Sequence, residues 1–295
     1  MYNAISCGYA GRTTLPRYLR SCGSSSAPRC RLTVLGSGTL VSFGQRRPAG
    51  YVLETNTSLT LFDCNSHSLL SFRQYGFDPT KLNAIYIGHD HSDHSLGLVE
   101  WLEVIATQCA MQGTQPQLPN IVGPVGLVQG LANDIARHIP AKRDLFGKSL
   151  GWYSVTEVSP DGFLESRVGD LRIVTYPTVH DDNLPGSLGF RITWRDKVIA
   201  YPNDFGSLQM AEELLPRIRD AELLILDAGS PGLGSPGHLH ILEAIELKDR
   251  ANARLLLASH IPDFPGRVEA VREYITKAGR EDDVIVAEDG MYFDF

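Results

Sequence analysis

The fold of this 295-residue chain is decided by one stretch, His89-Asp90-His91-Ser92-Asp93-His94. It packs three imidazoles and two carboxylates into six residues, directly after the apolar run 84–87. A strand that ends at Gly88 would release the chain into a tight loop, with the first two histidines facing one point and the Asp-His pair facing a neighbouring point. Imidazole is the commonest metal ligand, and an ordinary polar loop is a poorer explanation of three clustered histidines. The stretch therefore predicts ligands for two metal ions.

Four further acids and histidines follow predicted strands, where side chains from different strands can meet at one edge of a sheet. They are Asp63 after Leu59–Phe62, His180 after Leu171–Tyr176, Asp204 after Val198–Tyr201 and His260 after Leu255–Ala258. One loop cannot enclose two cations, so ligands from several strand ends are required. Each residue alone is explained as well by a surface loop or a turn, but their joint occurrence in this order disfavours that explanation.

The combined pattern resembles the metallo-β-lactamase superfamily. Its motifs are an aspartate after an early strand, the histidine-rich loop, a histidine, an aspartate and a last histidine, and the resemblance spans about residues 32–262. It implies an α/β fold, a four-layered αβ/βα sandwich of a single domain, with the metal site at one edge between the sheets.

The resemblance also implies a role for each residue. The expected ligands are His89, His91 and His180 for the first metal, Asp93, His94 and His260 for the second, and Asp204 as the bridge. Asp63 is expected to orient a ligand histidine through its ring N–H, and Cys64 beside it is interpreted as a small buried residue. Ligands without thiolate suit Zn²⁺, the expected metal, and also Mn²⁺ or Fe²⁺.

Two such ions about 3.5–4 Å apart would lower the pKa of a bridging water and clamp both reacting oxygens, which is hydrolytic machinery. Asp93 is also placed to take the proton of that water, as a second, catalytic role.

The run Gly237-His238-Leu239-His240, about twenty residues before the last ligand, is similar to the ribonuclease Z branch. There a histidine matching His238 donates to the phosphoryl oxygen or the leaving group, so His238 is the second catalytic candidate. The alternative interpretation makes His238 a residue of a helix N-terminus without a catalytic role. The role of His240 is left open.

The chain departs from the ribonuclease Z branch in ways that bear on the substrate. The long arm that grips tRNA, expected between the strands 188–194 and 198–201, is replaced by a short hairpin. Asn203 stands where a glycine is usual before the bridging aspartate, and the Pro- and Lys-containing loop is not evident after His94. These departures favour a small or cyclic phosphodiester as the substrate.

Other interpretations of the same residues remain. They are hydrolysis of a lactone, thioester, β-lactam or sulfate ester on the same metals, tRNA 3′ processing of the ribonuclease Z type, and a non-catalytic member that only binds a ligand.

Charge is unevenly distributed along the chain. Residues 1–53 hold seven arginines and no acid, so the remaining residues, with 20 basic and 34 acidic side chains, carry a formal charge of −14. An acidic body makes nucleic acid a disfavoured partner. A small-molecule substrate and no membrane association are expected, since no apolar run approaches the roughly 18 residues of a membrane span. Family members often form dimers, so the resemblance leaves a homodimer open.

Residues 1–30 are interpreted as a basic leader, either flexible or targeting, and residues 31–295 as the hydrolase domain. The leader is rich in Arg and Ser and lacks an apolar core, so an organelle signal is one interpretation and a disordered tail or an over-long reading frame are others. The five cysteines are odd in number and form no C-x-x-C pair, which favours a reducing compartment such as the cytoplasm.

Periodicity predicts alternating strands and helices from Arg31 onward. Predicted strands are 32–35, 50–54, 59–62, 84–87, 120–122, 171–176, 188–194, 198–201, 222–227 and 254–258, and predicted helices are 68–75, 96–111, 125–138, 208–219, 239–251 and 267–278. Residues 139–165 are ambiguous. Two rounds of strands followed by helices predict a pseudo-duplicated α/β sandwich.

Overall fold

The computed structural model describes residues 6–8, 29–41, 44–114, 116–138, 154–180, 184–206, 208, 211–233 and 237–295. The strands in these residues are β1 (Ser6–Gly8), β2 (Cys30–Gly36), β3 (Gly50–Thr55), β4 (Leu59–Phe62), β5 (Ala84–Tyr86), β6 (Asn120–Pro124), β7 (Val155–Val158), β8 (Leu164–Val168), β9 (Leu171–Thr178), β10 (Ser187–Trp194), β11 (Lys197–Tyr201), β12 (Leu223–Asp227), β13 (Leu255–Ser259), β14 (Val284–Val286) and β15 (Tyr292–Asp294). The α-helices are α1 (Ser68–Gln74), α2 (Ser92–Ser95), α3 (Leu98–Met111), α4 (Leu127–His138), α5 (Ala211–Ile218), α6 (Ile241–Arg250) and α7 (Arg267–Lys277).

The strands form two sheets that repeat one pattern. Their orders are β1-β15-β2-β3-β4-β5-β6-β7 and β14-β13-β12-β11-β10-β9-β8. In the first sheet β2, β3 and β4 are antiparallel and β4 to β7 are parallel. In the second sheet β8 to β11 are antiparallel and β11 to β14 are parallel. The same succession in both sheets agrees with the predicted duplication.

Apolar side chains fill three layers of core. The inner faces of the two sheets pack on each other, with Tyr51 and Phe62 from the first sheet and Phe190 and Leu257 from the second all buried between them. Helices α1, α3 and α4 cover the outer face of the first sheet, and α5, α6 and α7 cover that of the second. Every residue of β12 and β13 is buried, as expected for parallel strands covered on both faces. The predicted four-layered αβ/βα sandwich is confirmed.

The strand directions bring the predicted site residues to one edge of the sandwich. Strands β4 and β5 run parallel, and so do β11, β12 and β13. Strand β9 points the same way as β11, because β10 is antiparallel to both. The segments that follow the carboxyl ends of these strands therefore meet at one edge. A hydrogen bond between His89, after β5, and Asn203, after β11, joins the two sheets there.

Sequence periodicity missed the shortest elements. The predicted helix 96–111 begins at Leu98, and a separate one-turn helix, α2, lies within the histidine-rich stretch. The ambiguous residues 139–165 contain β7 and the first two residues of β8, and residues 139–153 lie outside the described part. Strands β14 and β15 have three residues each, which is too short for an alternating pattern to be recognised. Helix α5 covers only part of the predicted 208–219.

The predicted leader is described only in part. Ser6–Gly8 pairs antiparallel with β15 at the edge of the first sheet. Residues 1–5 and 9–28 lie outside the described residues, so the leader and the domain division at residue 30 stay predictions. None of the helices in the described ranges combines the length and the apolar character needed to cross a bilayer.

An ion-pair network holds α6 against the segment before β14. Asp283 accepts hydrogen bonds from Lys248 Nζ at 2.5 Å and from Arg280 Nη2 at 2.7 Å. Arg280 also pairs with Asp249 at 2.6 Å, and the Lys248 side chain is only 8% exposed. The hydrogen bond from Arg280 lowers the pKa of Asp283 by more than burial raises it. Together with the hydrogen bond from Lys248, it brings this pKa to about 2.

We expect Asp283→Asn to lower the free energy of unfolding by about 1 kcal/mol at pH 7, a value reduced for the partial exposure of the pair. Because the pKa of Asp283 is lower in the folded than in the unfolded protein, this stabilisation is present above the unfolded value of 3.8 and is lost as the pH falls toward 2. Urea unfolding of the native protein and of Asp283→Asn at pH 7 and pH 3 measures this stabilisation. The difference between their free energies of unfolding should shrink to roughly half at pH 3. A difference of equal size at both pH values would contradict the assignment.

Candidate metal centre

Three histidines from two loops direct ring nitrogens at one point. His89 Nε2 lies 2.9 Å and His180 Nε2 3.4 Å from His91 Nδ1. Two nitrogens bound to one tetrahedral zinc ion are about 3.3 Å apart, given Zn–N bonds of about 2.0–2.1 Å. His180 Nδ1 lies 2.7 Å from the carbonyl oxygen of Gly237, which only accepts, so Nδ1 donates and Nε2 presents a lone pair to this point. The three nitrogens are spaced as ligands of one cation.

A second group lies beside the first. His260 Nε2 is 3.4 Å from Asp93 Oδ2, and His94 Nε2 is 3.9 Å from the same oxygen. Helix α2 carries Asp93 and His94 in adjacent positions, and His260 comes from the loop after β13. One imidazole nitrogen or carboxylate oxygen from each of these residues lies within 4.8 Å of the others. This group has the donor set and the size of a second cation site.

Asp204 lies between the two groups. Its Oδ2 is 3.3 Å from both His94 Nε2 and His260 Nε2, 3.8 Å from His180 Nε2 and 3.9 Å from His89 Nε2. The buried Nε2 of His94 has no hydrogen-bond partner among the described residues, although its neighbours are polar. Buried polar atoms are almost always paired, so this atom and the facing nitrogens fit a site built for cations. The structure brings together all seven predicted ligands, and their binding of metal stays a prediction.

Asp63 supports the site without facing its centre. Its Oδ1 accepts from the Gly88 backbone N–H at 2.9 Å, and its Oδ2 accepts from His94 Nδ1 at 3.0 Å. The same Oδ2 accepts from Tyr201 Oη at 2.5 Å and from Asn203 Nδ2 at 2.9 Å. Because the carboxylate accepts from His94 Nδ1, Nε2 of that ring is the nitrogen that carries the free lone pair. This position agrees with the orienting role expected from the sequence.

Three of the strand-end residues have left-handed backbone conformations. Asp63, Asn203 and His260 have φ values of 60°, 66° and 51°. Such conformations cost free energy in residues other than glycine and persist only where the surrounding structure enforces them. Here they turn the chain sharply after β4, β11 and β13, so that the adjoining side chains point into the edge of the sandwich.

Burial sets the protonation of the first group. It lowers the pKa of His89 well below its usual value, and the neighbouring His94, His180 and His91 lower it further despite the opposing effect of Asp204. Burial also lowers the pKa of His180. Both rings are therefore neutral at pH 7, which is the form that binds metal.

The second group favours positive charge at its centre. Burial alone would raise the pKa values of Asp93 and Asp204, but neighbouring histidines, His260 foremost, lower both. Burial alone would lower the pKa of His94, but the charges of Asp63 and Asp204 raise it well above the usual value. Two carboxylates thus stay ionised in a buried setting that favours a positive charge beside them.

His238 stands at the mouth of the site. A ring nitrogen of His238 lies within 4.8 Å of ligand atoms of His180 and Asp204, and the side chain is 37% exposed. Its Nδ1 is 3.0 Å from Asp227 Oδ2, which also accepts from the Leu239 N–H at 3.0 Å. Burial alone would lower the pKa of His238, but the hydrogen bond with Asp227 and the charge of Asp204 raise it to about 9. The raised pKa favours the protonated ring at neutral pH, and the exposed edge leaves the ring accessible to a bound molecule.

Sequence reasoning missed Asp227 and left His240 open. Asp227 ends β12, so the rule of an acid at a strand end that selected Asp63 and Asp204 could have found it. His240 caps α6, since its Nδ1 accepts from the Leu242 N–H at 3.2 Å. It therefore has a structural role. Cys64 is fully buried, as predicted.

A cavity of about 380 Å³ leads to the ligands. Its wall includes Leu40, Val41 and Pro262 beside Asp93 and His238. Leu40 and Val41 are 62% and 46% exposed, and the Leu40 N–H donates to Asp93 Oδ2 at 2.9 Å. None of the described residues that line the cavity is a lysine or an arginine. The approach to the site is apolar rather than basic.

Comparison with known proteins agrees with this fold. The profile of the beta-lactamase superfamily domain matches residues 55–261. A ribonuclease Z from Exiguobacterium sp. is 30% identical over 57% of this chain, which spans half of that relative's length. A ribonuclease Z from Methanothermobacter thermautotrophicus is 24% identical over 82% of this chain and 90% of its own. The crystal structure of the metallo-beta-lactamase fold protein YhfI from Bacillus subtilis superposes with a TM-score of 0.72 at 21% identity, over 90% of this chain and all of YhfI.

Proposed function

The chain belongs to the metallo-β-lactamase superfamily and is a metal-dependent hydrolase, and from that premise we propose that it cleaves small or cyclic phosphodiesters with two divalent cations. The convergence of His89, His91, Asp93, His94, His180, Asp204 and His260 at one edge carries the proposal. Zinc is the proposed metal because the donors are imidazoles and carboxylates. When bound, two such ions activate water and neutralise the negative charge of a phosphodiester.

The protein's own residues supply the remaining steps. Asp63 and Gly237 hold ligand imidazoles in orientation. The Asp93 carboxylate would accept the proton of the water that attacks phosphorus. His238, oriented by Asp227, donates its proton to the oxygen that leaves. A general acid beside the ligands favours a substrate whose leaving group is an alkoxide, as in a ribose phosphodiester.

The cavity and the charge favour a small substrate. Leu40, Val41 and Pro262 form an apolar wall next to Asp93, where an RNA-binding cleft would carry cations. The hairpin between β10 and β11 is a two-residue turn at Arg195 and Asp196, too short to grip a second part of a tRNA. The volume of about 380 Å³ suits a nucleotide-sized ligand.

A second candidate is tRNA 3′ processing. It is favoured by the two relatives named ribonuclease Z, of which one is covered over 90% of its length. Phosphodiester cleavage is common to both candidates, so the size and the polymeric nature of the substrate distinguish them.

A substrate panel with metal analysis tests the proposal. We expect two equivalents of zinc per chain, and turnover of bis(p-nitrophenyl) phosphate and of a 2′,3′-cyclic nucleotide at least about 100-fold above that of a lactone, a thioester, a β-lactam or an aryl sulfate. Removal of the metal by chelation should abolish turnover, and zinc should restore it.

The same panel includes a precursor tRNA with a 3′ trailer. The variant Asp204→Asn, purified in parallel, controls for a contaminating phosphodiesterase. Cleavage of the precursor tRNA as the preferred reaction would move the assignment to ribonuclease Z. Turnover of another ester class alone would reject phosphodiester hydrolysis. Absence of any turnover by protein that holds two metal ions would also reject it.

A further inference from the structure

Asn203 is a fully buried amide between β11 and Asp204. It has a left-handed backbone with φ of 66°, a conformation that asparagine tolerates better than most residues. Its side chain lies against Gly88, where an added Cβ would be 1.6 Å from Asn203 Nδ2. Gly88 therefore leaves room for the amide, and the two residues pack together beside the proposed ligand His89.

The partners of Asn203 fix which way its amide points. Nδ2 lies 2.9 Å from Asp63 Oδ2, and an ionised carboxylate only accepts, so the NH₂ group must face it. The backbone N–H of Asp204 donates to Oδ1 at 2.8 Å, which places the carbonyl oxygen on the other side. That same oxygen is 3.2 Å from His89 Nδ1.

The orientation of the amide determines the tautomer of His89. A carbonyl oxygen only accepts, so Nδ1 of His89 must be the donor and Nε2 the lone pair. Nε2 is the atom that lies 2.9 Å from His91 Nδ1 at the centre of the first ligand group. A glycine at position 203 would allow the same backbone turn but would leave this proton without its acceptor.

We propose that Asn203 is a positioning residue of the first metal site, acting through His89, and that its amide sets the metal affinity of the His89, His91 and His180 group selectively. The selectivity follows from Asp63. When the amide is removed, Asp63 keeps its bonds to Gly88, His94 and Tyr201. The imidazole of His94 in the second site stays oriented, whereas His89 loses the bond that fixes its ring. The Asp204 N–H also loses its acceptor, but the Asp204 carboxylate faces both groups and its loss of support is shared by them.

Zinc titration of Asn203→Gly tests the proposal. Glycine keeps the left-handed backbone and removes only the side chain, so the loss reports on the amide. In competition with a chromogenic chelator, the native protein should bind two equivalents of zinc. The variant should retain one tight equivalent and bind the other about 10–100-fold more weakly, the usual effect of losing an outer hydrogen-bond partner of a metal ligand.

The matched control is Asn252→Gly. Asn252 also has a left-handed backbone, with φ of 51°, and its amide donates to Asp220 at 2.7 Å on the surface, in the turn after α6. It makes the same change of residue type at the same kind of backbone position, but before the start of β13, whereas the proposed ligand His260 follows the end of that strand. Both equivalents of zinc should bind to it with native affinity.

A spectroscopic readout does not depend on how well the variant folds. Imidazole ¹⁵N–¹H correlation spectra of the zinc-loaded native protein should show His89 protonated on Nδ1, with the signal assigned by its absence in His89→Gln. His89 protonated on Nε2, or two native-affinity equivalents in Asn203→Gly, would overturn the proposal. The inference rests on the proposed metal binding, and a native protein that takes up no zinc would overturn both. Two equivalents in the native protein with no loss in the variant would overturn the role of Asn203 alone.

Discussion

Asp204→Asn should reduce phosphodiester turnover by at least about 10³-fold and lower the zinc content below two equivalents per chain. The side chain keeps its shape, but the oxygen that lies 3.3 Å from both His94 Nε2 and His260 Nε2 loses its negative charge. It also lies within 3.9 Å of His89 Nε2 and His180 Nε2, so one substitution affects both ligand groups.

A control variant separates the loss of the Asp204 carboxylate from any general effect of an Asp-to-Asn substitution. The control is Asp220→Asn, which makes the same change at a surface residue with φ of 57° that lies after α5. Zinc content by elemental analysis and turnover of bis(p-nitrophenyl) phosphate should both be native in the control. Native turnover by Asp204→Asn with two zinc ions bound would show that Asp204 is not the bridge, and the dinuclear mechanism would then have to be abandoned.

The positions of the candidate site residues could be predicted because metal sites of this kind use a repeated local rule. Asp63, Asp204 and His260 each directly follow a strand of apolar residues or stand a few residues after it. Apolar strands are recognisable from sequence, and parallel strands bring their carboxyl ends to one edge. His180 obeys the same rule, because β9 points the same way as β11.

The supporting residues could not be predicted in the same way. Asp227 also ends a strand, yet its function depends on which loop lies above it, and only the fold places His238 there. Asn203 was visible as a departure from a usual glycine, but its role depends on contacts with Asp63 and His89, which are 140 and 114 residues away in the chain. Long-range hydrogen bonds of this kind leave no periodic signal in a sequence.

The histidines of the run 237–240 show why spacing alone leaves roles open. His238 and His240 are two residues apart and both lie at the start of α6. One faces the ligands with an exposed edge, and the other is buried as the cap of the helix. The difference arises because Asp227 binds both His238 Nδ1 and the Leu239 N–H, which fixes the turn before the helix.

Replacement of His238 by glutamine should slow hydrolysis by an amount that depends on the leaving group. For a 2′,3′-cyclic nucleotide, whose leaving oxygen is an alkoxide, we expect a loss of about 10³-fold, within the range for a general acid. For bis(p-nitrophenyl) phosphate the leaving phenolate needs no proton, and the rate should fall only a few-fold. The zinc content should stay at two equivalents, because His238 is not among the seven proposed ligands.

Asp227→Asn distinguishes a proton donor from a residue that merely contacts substrate. Asp227 Oδ2 is 3.0 Å from His238 Nδ1 and holds that ring in orientation, so its loss should reproduce most of the leaving-group dependence while His238 is still present. The ratio of kcat/KM for the two substrates, measured in both variants and in the native protein, gives the comparison. Equal losses on both substrates would mean that His238 binds the phosphate rather than protonating the leaving oxygen, since binding is shared by the two substrates and proton donation is not.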